Sequence, residues 1–240
     1  MSGNTKTTEA VVRIDADSPV VTVIERFGAI GAPSLDRDMS TVLQDPEHEN
    51  PGSVSDAQVV AATSYLRERL SRSEGFVAGL LLAGHRGELA LYSQWRPSGE
   101  PSTVVPDAWS LAPALPELQR VDSRAFAVDF TAPGPVTEVL RSRVARAHFG
   151  VFTMTPDRQE ELLVLARRHA PDSLGTPGLA AVNFHRSLDG ERVVNLGVWN
   201  DFGEFGDLLG RPGFTAGAEY WQGVSGFHPH FFDIAAVVTR

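Results

Sequence analysis

Residues 178–199 read GLAAVNFHRSLDGERVVNLGVW, and residues 75–95 read GFVAGLLLAGHRGELALYSQW. Each stretch is a glycine with an apolar residue, a short apolar run, a tight glycine turn, a second apolar run and a closing tryptophan. A hairpin written twice, roughly 100 residues apart, makes the chain two related domains rather than one large fold. The first copy is one residue shorter between its glycine and its tryptophan. That difference belongs at the turn, because an indel within a strand would turn every later side chain to the wrong face. Positions shared by the copies read as architecture, and polar positions present in only one are candidates for chemistry.

Working outward, residues 20–27 (VVTVIERF) alternate and are β-branched, which predicts a first strand. Residues 28–55 are rich in Gly, Pro, Ser and Asp and read as a long loop. Ser55 with Gln58 forms a capping-box pattern opening a helix over 56–72, with Val59, Ala62, Leu66 and Leu70 as its buried stripe. The first hairpin follows, then Pro-rich chain and a closing strand over 125–130. The pattern restarts with a strand at 149–154 and a helix capped by Thr155 with Pro156 in its first turn. The second hairpin, a short helix near 203–209 and a strand at 231–238 complete it. Strand–helix–strand–strand–helix–strand is the ferredoxin-like order. The fold class is therefore α+β, two tandem ferredoxin-like domains: a disordered tail over 1–18, an N-terminal domain over 19–132, a connector over 133–147 that reads as helix, and a C-terminal domain over 148–240.

Composition narrows the function. A net charge of −9 argues against nucleic acid as a partner. The chain has no cysteine, which removes disulfides, thiolate catalysis and cysteine-ligated metals. No apolar run is long enough to span a membrane, and the polar start MSGNTKTTEA has no apolar core of a signal peptide, so a cytoplasmic location is expected. His228-Pro229-His230 reads as chain with no carboxylate pattern to complete a metal site.

The second hairpin carries the chemistry. Leu188-Asp189-Gly190 suits a three-residue turn with Gly190 left-handed, which sets Ser187 opposite Glu191 and His185 opposite Val193. The strand period of two then places His185, Asn195 and Trp199 on one face with Asn183, and Gly197 leaves a gap there for a flat ligand. His185 is the candidate base, Asn195 the donor to a substrate oxygen, and Trp199 a stacking wall. The first copy has Leu91 in place of Asn195 and lacks the histidine; it contributes Tyr92 and Trp95.

FHRSLDGERVVNLGVW is similar to the matching hairpin of the antibiotic biosynthesis monooxygenase family, in particular its quinone-forming member from actinorhodin biosynthesis. That hairpin has a His, a turn ending in Asp-Gly, then Val-Val-Asn and a Trp four residues after the Asn; here these are His185, Asp189-Gly190, Asn195 and Trp199. Where the family has a pocket Tyr six residues after the Trp, this chain has Phe205. The resemblance implies a dimeric α/β-barrel fold with antiparallel sheets packed face to face, here within one chain, which can pair further as a homodimer. It implies an oxygenase tailoring a polycyclic aromatic polyketide with O2 as co-substrate and no metal or tightly bound cofactor. His185, Asn195 and Trp199 are then catalytic, with Asn183, Gly197, Phe202, Phe205, Tyr92 and Trp95 about the substrate. The tandem format also resembles the ring-opening oxygenases of angucycline pathways (jadomycin, gilvocarcin and kinamycin), which implies reduced flavin supplied from outside by a flavin reductase. Two other functions suit such a face: a polyketide cyclase working without O2, and a non-catalytic polyketide-binding protein.

Overall fold

The computed structural model describes residues 9–30, 54–84, 87–144, 146–201 and 220–240. The N-terminal half holds β2 (Val21–Ala29), helix α1 (Asp56–Glu68), β3 (Phe76–Gly84), β4 (Glu88–Trp95) and β5 (Leu118–Ala132). The C-terminal half repeats the series as β7 (Arg146–Thr153), α2 (Gln159–Leu174), β8 (Leu179–Ser187), β9 (Arg192–Trp199) and β10 (Gly226–Thr239). Ser55 caps α1 as its sequence requires: Gln58 N–H donates to Ser55 Oγ and Ser55 N–H to Gln58 Oε1. Both hairpins open on a glycine of positive φ, Gly75 at +80° and Gly178 at +85°, which is why that glycine recurs in the two copies.

All strand pairs are antiparallel, and within each half the order is second–third–first–fourth, the ferredoxin-like arrangement. The two sheets are continuous at both edges. β5 pairs with β8 and β10 with β3, closing the eight strands into one barrel. The expected face-to-face packing thus takes the form of a barrel filled by side chains. Ile24, Leu80, Leu82, Phe126, Phe149, Leu196 and Phe232 form its apolar core. The outer faces are covered separately. α1 lays Ala62 and Leu66, and the 3-10 turn after it Leu70, on the first half with Phe27, Leu91 and Trp95, and α2 lays Leu162, Leu163 and Ala166 on the second with Phe184, Val193 and Trp199.

Two expectations change. Residues 12–15, expected within a disordered tail, form β1 (Val12–Asp15), because Val12 and Ile14 alternate into the core while Arg13 stays out. Its partner is β6 (Val136–Val139), in the connector expected to be helical; Val136 and Val139 are β-branched and suit a strand. In the first half, the Pro-rich chain between β4 and β5 holds two short 3-10 turns, Asp107–Trp109 and Ala112–Ala114. The helix expected near 203–209 and most of loop 28–55 lie outside the described residues. No helix among the described residues is long and apolar enough to cross a membrane.

Glu25 organises those turns. Its carboxylate is fully buried and accepts from Ser110 Oγ at 2.7 Å, Leu111 N–H at 2.7 Å and the Arg120 guanidinium at 3.4 Å. Glu25→Ala strands these buried donors. It is expected to lower the unfolding free energy by about 3 kcal/mol, read as a fall in urea midpoint at unchanged slope.

Candidate functional site

The register of the second hairpin decides which side chains share a face. His185 pairs with Val194, Phe184 with Asn195, and Asn183 with Leu196. The loop is four residues, 188–191, one more than the expected three. Gly190 has the expected φ of +80°, but Ser187 Oγ donates to Asp189 and accepts from Arg192 N–H, widening the loop. From the start of α2, the Gln159 amide donates to both Ser187 O and Arg192 O. Arg124 on β5 pairs with Asp189 and Glu191 and pins the loop from outside. The longer loop shifts pairing by one residue, and every side chain of β8 changes face relative to β9. The first copy closes β3 to β4 over residues 85–87, so the one-residue difference does lie at the turn.

His185 and Asn183 therefore point into the barrel, while Asn195, Gly197 and Trp199 point outward toward α2. The four do not form one cluster. His185 is fully buried; its Nδ1–H donates to Asn183 O at 3.0 Å and Val194 O at 3.3 Å. Nε2 is left to accept from the Tyr92 hydroxyl at 3.1 Å. Burial pulls the His185 pKa down to about 4 and pushes the Tyr92 phenol up to about 12. The two are a satisfied neutral pair of the barrel core. Trp95 lies outward on the first half, stacked on Trp109 at 4.7 Å, with its indole N–H on Ser93 Oγ at 2.8 Å. Phe202 and Phe205 lie outside the described residues.

A cleft with a cavity volume of about 50 Å3 opens on the outer face of the second half. Its floor is His148, Gly150 and Asn195 on neighbouring strands, its wall His169 and Ser173 at the end of α2, and its other side Tyr220, Trp221 and Phe227. Asn183 N–H donates to Asn195 Oδ1 at 3.0 Å. That contact fixes the amide, because a main-chain N–H can only donate and so must face the oxygen. The Asn195 NH2 is thereby turned toward the cleft.

Gly197 leaves a gap, as expected, but the His148 imidazole fills it: a Cβ on Gly197 would stand 1.9 Å from His148 Cε1. Trp199 is fully buried beneath, its indole N–H donating to His148 Nδ1 at 2.8 Å. It carries the histidine rather than forming a wall of the cleft. Gly197→Ala is expected to cost about 1–3 kcal/mol by overpacking and to displace His148, seen as a lower melting temperature together with loss of activity.

Burial pulls the His148 pKa down to about 4 and, more weakly opposed by Asp172, lowers that of His169. His169 Nδ1 lies 3.9 Å from Asp172 and its ring 4.8 Å from that of Tyr220. Burial keeps the Tyr220 phenol protonated by raising its pKa. Tyr220 thus brings a phenol hydroxyl to the cleft although Phe205 stands at the family's tyrosine position. His148, His169, Tyr220 and Phe227 were missed because they come from four other segments. One signal was available: Gly197 beside a buried Trp implies a bulky neighbour across β7.

In the first half, side chains of the described residues occupy the matching place. Superposing Trp95 on Trp199 by strand register sets Ser93 at Gly197, Leu91 at Asn195, Val23 at His148 and Glu25 at Gly150. Glu25, Leu111, Leu115 and Trp109 fill that space. Among the described residues, no group of three His, Asp or Glu side chains is placed to hold a metal ion.

The fold is a closed eight-stranded antiparallel barrel of two halves with ferredoxin-like strand order, and a polar-floored aromatic cleft lies under the helix of one half. No family model matches the chain. The tetracenomycin-F1 monooxygenase of Streptomyces glaucescens is 31% identical over 85 residues, 35% of this chain and 76% of the relative, and the chain belongs to that enzyme's family. A solved structure described as an anthrone oxidase-like protein superposes with a TM-score of 0.68 at 16% identity, covering 95% of this chain and 96% of its own. A protein provisionally assigned as a monooxygenase, from Fusobacterium nucleatum subsp. nucleatum, gives 0.56 at 9% identity over 92% and 94%. At these identities the two structures show the shared fold.

Proposed function

We propose that the chain is an oxygenase of a polycyclic aromatic phenol or anthrone of polyketide type, acting in the cleft beneath α2. The observation that carries this reading is the Asn195 amide, tied by its oxygen to the strand so that its NH2 faces an aromatic cleft. Membership in the tetracenomycin-F1 monooxygenase family supports the reaction type.

His169, neutral at pH 7, takes a proton from the reacting ring carbon. The resulting anion carries its charge on the ring oxygen, where the Asn195 NH2 donates to it. In the desolvated cleft this electron-rich anion gives one electron to O2, and the two radicals join as a peroxide anion at the ring carbon, which takes the proton back from His169 to become a hydroperoxide. Loss of the remaining C–H proton breaks the O–O bond; one oxygen stays as the quinone carbonyl and the other leaves as water. The substrate is the reductant, so a CH2 and O2 become C=O and H2O. No step of this reaction uses a flavin.

The test is incubation with an anthrone and with an angucycline-type quinone, in air and under nitrogen, with and without reduced flavin, followed by product mass. The anthrone is expected to gain one oxygen and lose two hydrogens in air without flavin, above the rate without protein. A mass gain on the quinone alone, and only with reduced flavin, would replace this reaction by ring opening. Turnover under nitrogen would make the protein a cyclase, and no mass change under any condition a binding protein.

A further inference from the structure

A second cavity lies where β2 and β3 begin and β4 and β10 finish, beside strand β1. The β1–β6 pair packs on this end of the barrel, with Val12, Ile14 and Val139 in the barrel core. Between the pair and the barrel rim is a space of about 240 Å3, walled by Val11, Val20, Val77 and Ala78. Gln94 brings a polar group to it, 2% exposed and on the inward face of β4 with Ala90 and Tyr92. Gln94 Nε2 donates to Arg13 O at 2.8 Å and to the Tyr92 hydroxyl at 3.4 Å. A main-chain carbonyl can only accept, so the NH2 is held on that side and Oε1 is turned to the other. No described residue supplies a donor to Oε1. The matching position of the second hairpin, one before its tryptophan, is Val198, in the apolar barrel core. Gln94 is thus a polar position present in only one copy, and fastening β1 uses its nitrogen alone.

We infer that this seam between β1 and the barrel rim is a second binding site, for a small neutral molecule with a hydroxyl on an apolar body, whose O–H donates to Gln94 Oε1. The site is independent of the oxygenase reading. An acceptor set among apolar walls selects a largely apolar ligand that carries a donor, because a ligand without one would bury Oε1 unpaired. Ser18 and Thr239 also line the seam and offer hydroxyls to a second polar group. The charges at the rim are engaged by their own neighbours. Arg13 lies 3.7 Å from Glu138, and Asp15 Oδ1 accepts from Asp17 N–H at 2.9 Å. A neutral ligand therefore suits the place better than an ion.

The test is methyl 13C NMR of the valines in the full chain, titrated with 2-naphthol and with 2-methoxynaphthalene, which has the same rings and no donor. Saturable shifts of Val11, Val20 and Val77 are expected with 2-naphthol, separate from any at Val182 in the outer cleft. The methyl ether should bind the seam about 3–10-fold more weakly, the worth of one hydrogen bond. In Gln94→Met, which keeps the side-chain length without the oxygen, that preference should vanish. Ser18→Trp fills the seam with Gln94 left in place, and should abolish the seam shifts while sparing those at Val182. Cyclohexanol in place of 2-naphthol tells an aliphatic from an aromatic ligand, and saturable seam shifts with either uphold the site. Shifts confined to Val182, equal affinity of the naphthol and its ether at the seam, or seam binding that survives Ser18→Trp overturns the inference.

Discussion

Replacing Asn195 by alanine is expected to lower kcat for aromatic oxygenation about 10²–10³-fold, the loss typical of one oxyanion donor. The Asn195 amide is oriented by the sheet, through Asn183 N–H on its oxygen. Binding should weaken much less, because the stacking surface of Phe152, Trp221 and Phe227 is untouched. Truncation also leaves Asn183 N–H without its acceptor, so a urea melt must accompany the kinetics. A modest fall in stability with a large fall in kcat is the expected pattern. Equal kcat values for the native protein and Asn195→Ala, both folded, would remove this residue from the chemistry.

The second large effect is on stability against pH. His148 and His185 fold with pKa values of about 4, against an ordinary value near 6.5 for histidine in an unfolded chain, each because burial disfavours the charged ring. Below pH 6.5 the unfolded chain therefore binds protons that the folded protein refuses. Stability is full above that pH and is lost as pH falls through the window from 6.5 to 4. Each histidine accounts for about 3 kcal/mol at the lower end, and the pair for about 6 kcal/mol, comparable with the whole stability of many domains. Asp189, whose pKa is lowered against desolvation by hydrogen bonds from Ser187 and Glu191 N–H and by the charge of Arg124, acts with the same sign in a lower window, below pH 4. Urea midpoints measured from pH 7 to pH 4 should fall steeply, and the slope should drop by one proton in His185→Gln. A flat profile across the window would show that the two rings are not buried neutral.

Much of the architecture was legible because it is local and repeated. The capping box at Ser55, the alternation of the paired strands and the doubled Gly-to-Trp hairpin each carry their signal within a few residues. The site was legible only in part. Asn195 was singled out, as a polar side chain on a central strand, and the structure sets it on the floor of the cleft. A three-residue turn would place His185 on the same face. The fourth loop residue is held by Gln159 and Arg124, which lie far away in sequence and leave no trace in the hairpin itself. A one-residue register error moves a side chain from the cleft to the barrel core, where His185 meets Tyr92 of the other half. His148 was invisible for the opposite reason. It is a single histidine in an apolar strand, and only the glycine opposite it and the tryptophan beneath it give it meaning. Strand β1 was lost in a polar context, since a four-residue strand shows too few alternations to stand out from a tail.

The claim that most needs testing is that O2-dependent chemistry belongs to the outer cleft of the second half and not to the polar pair inside the barrel. Product mass under 18O2, with an anthrone as substrate, addresses both parts when applied to the native protein, Asn195→Ala and Tyr92→Phe. One labelled oxygen atom in the product of the native protein and of Tyr92→Phe, with label nearly abolished in Asn195→Ala, is the expected result. An unlabelled product from the native protein, or label that survives in Asn195→Ala and disappears in Tyr92→Phe, would contradict it.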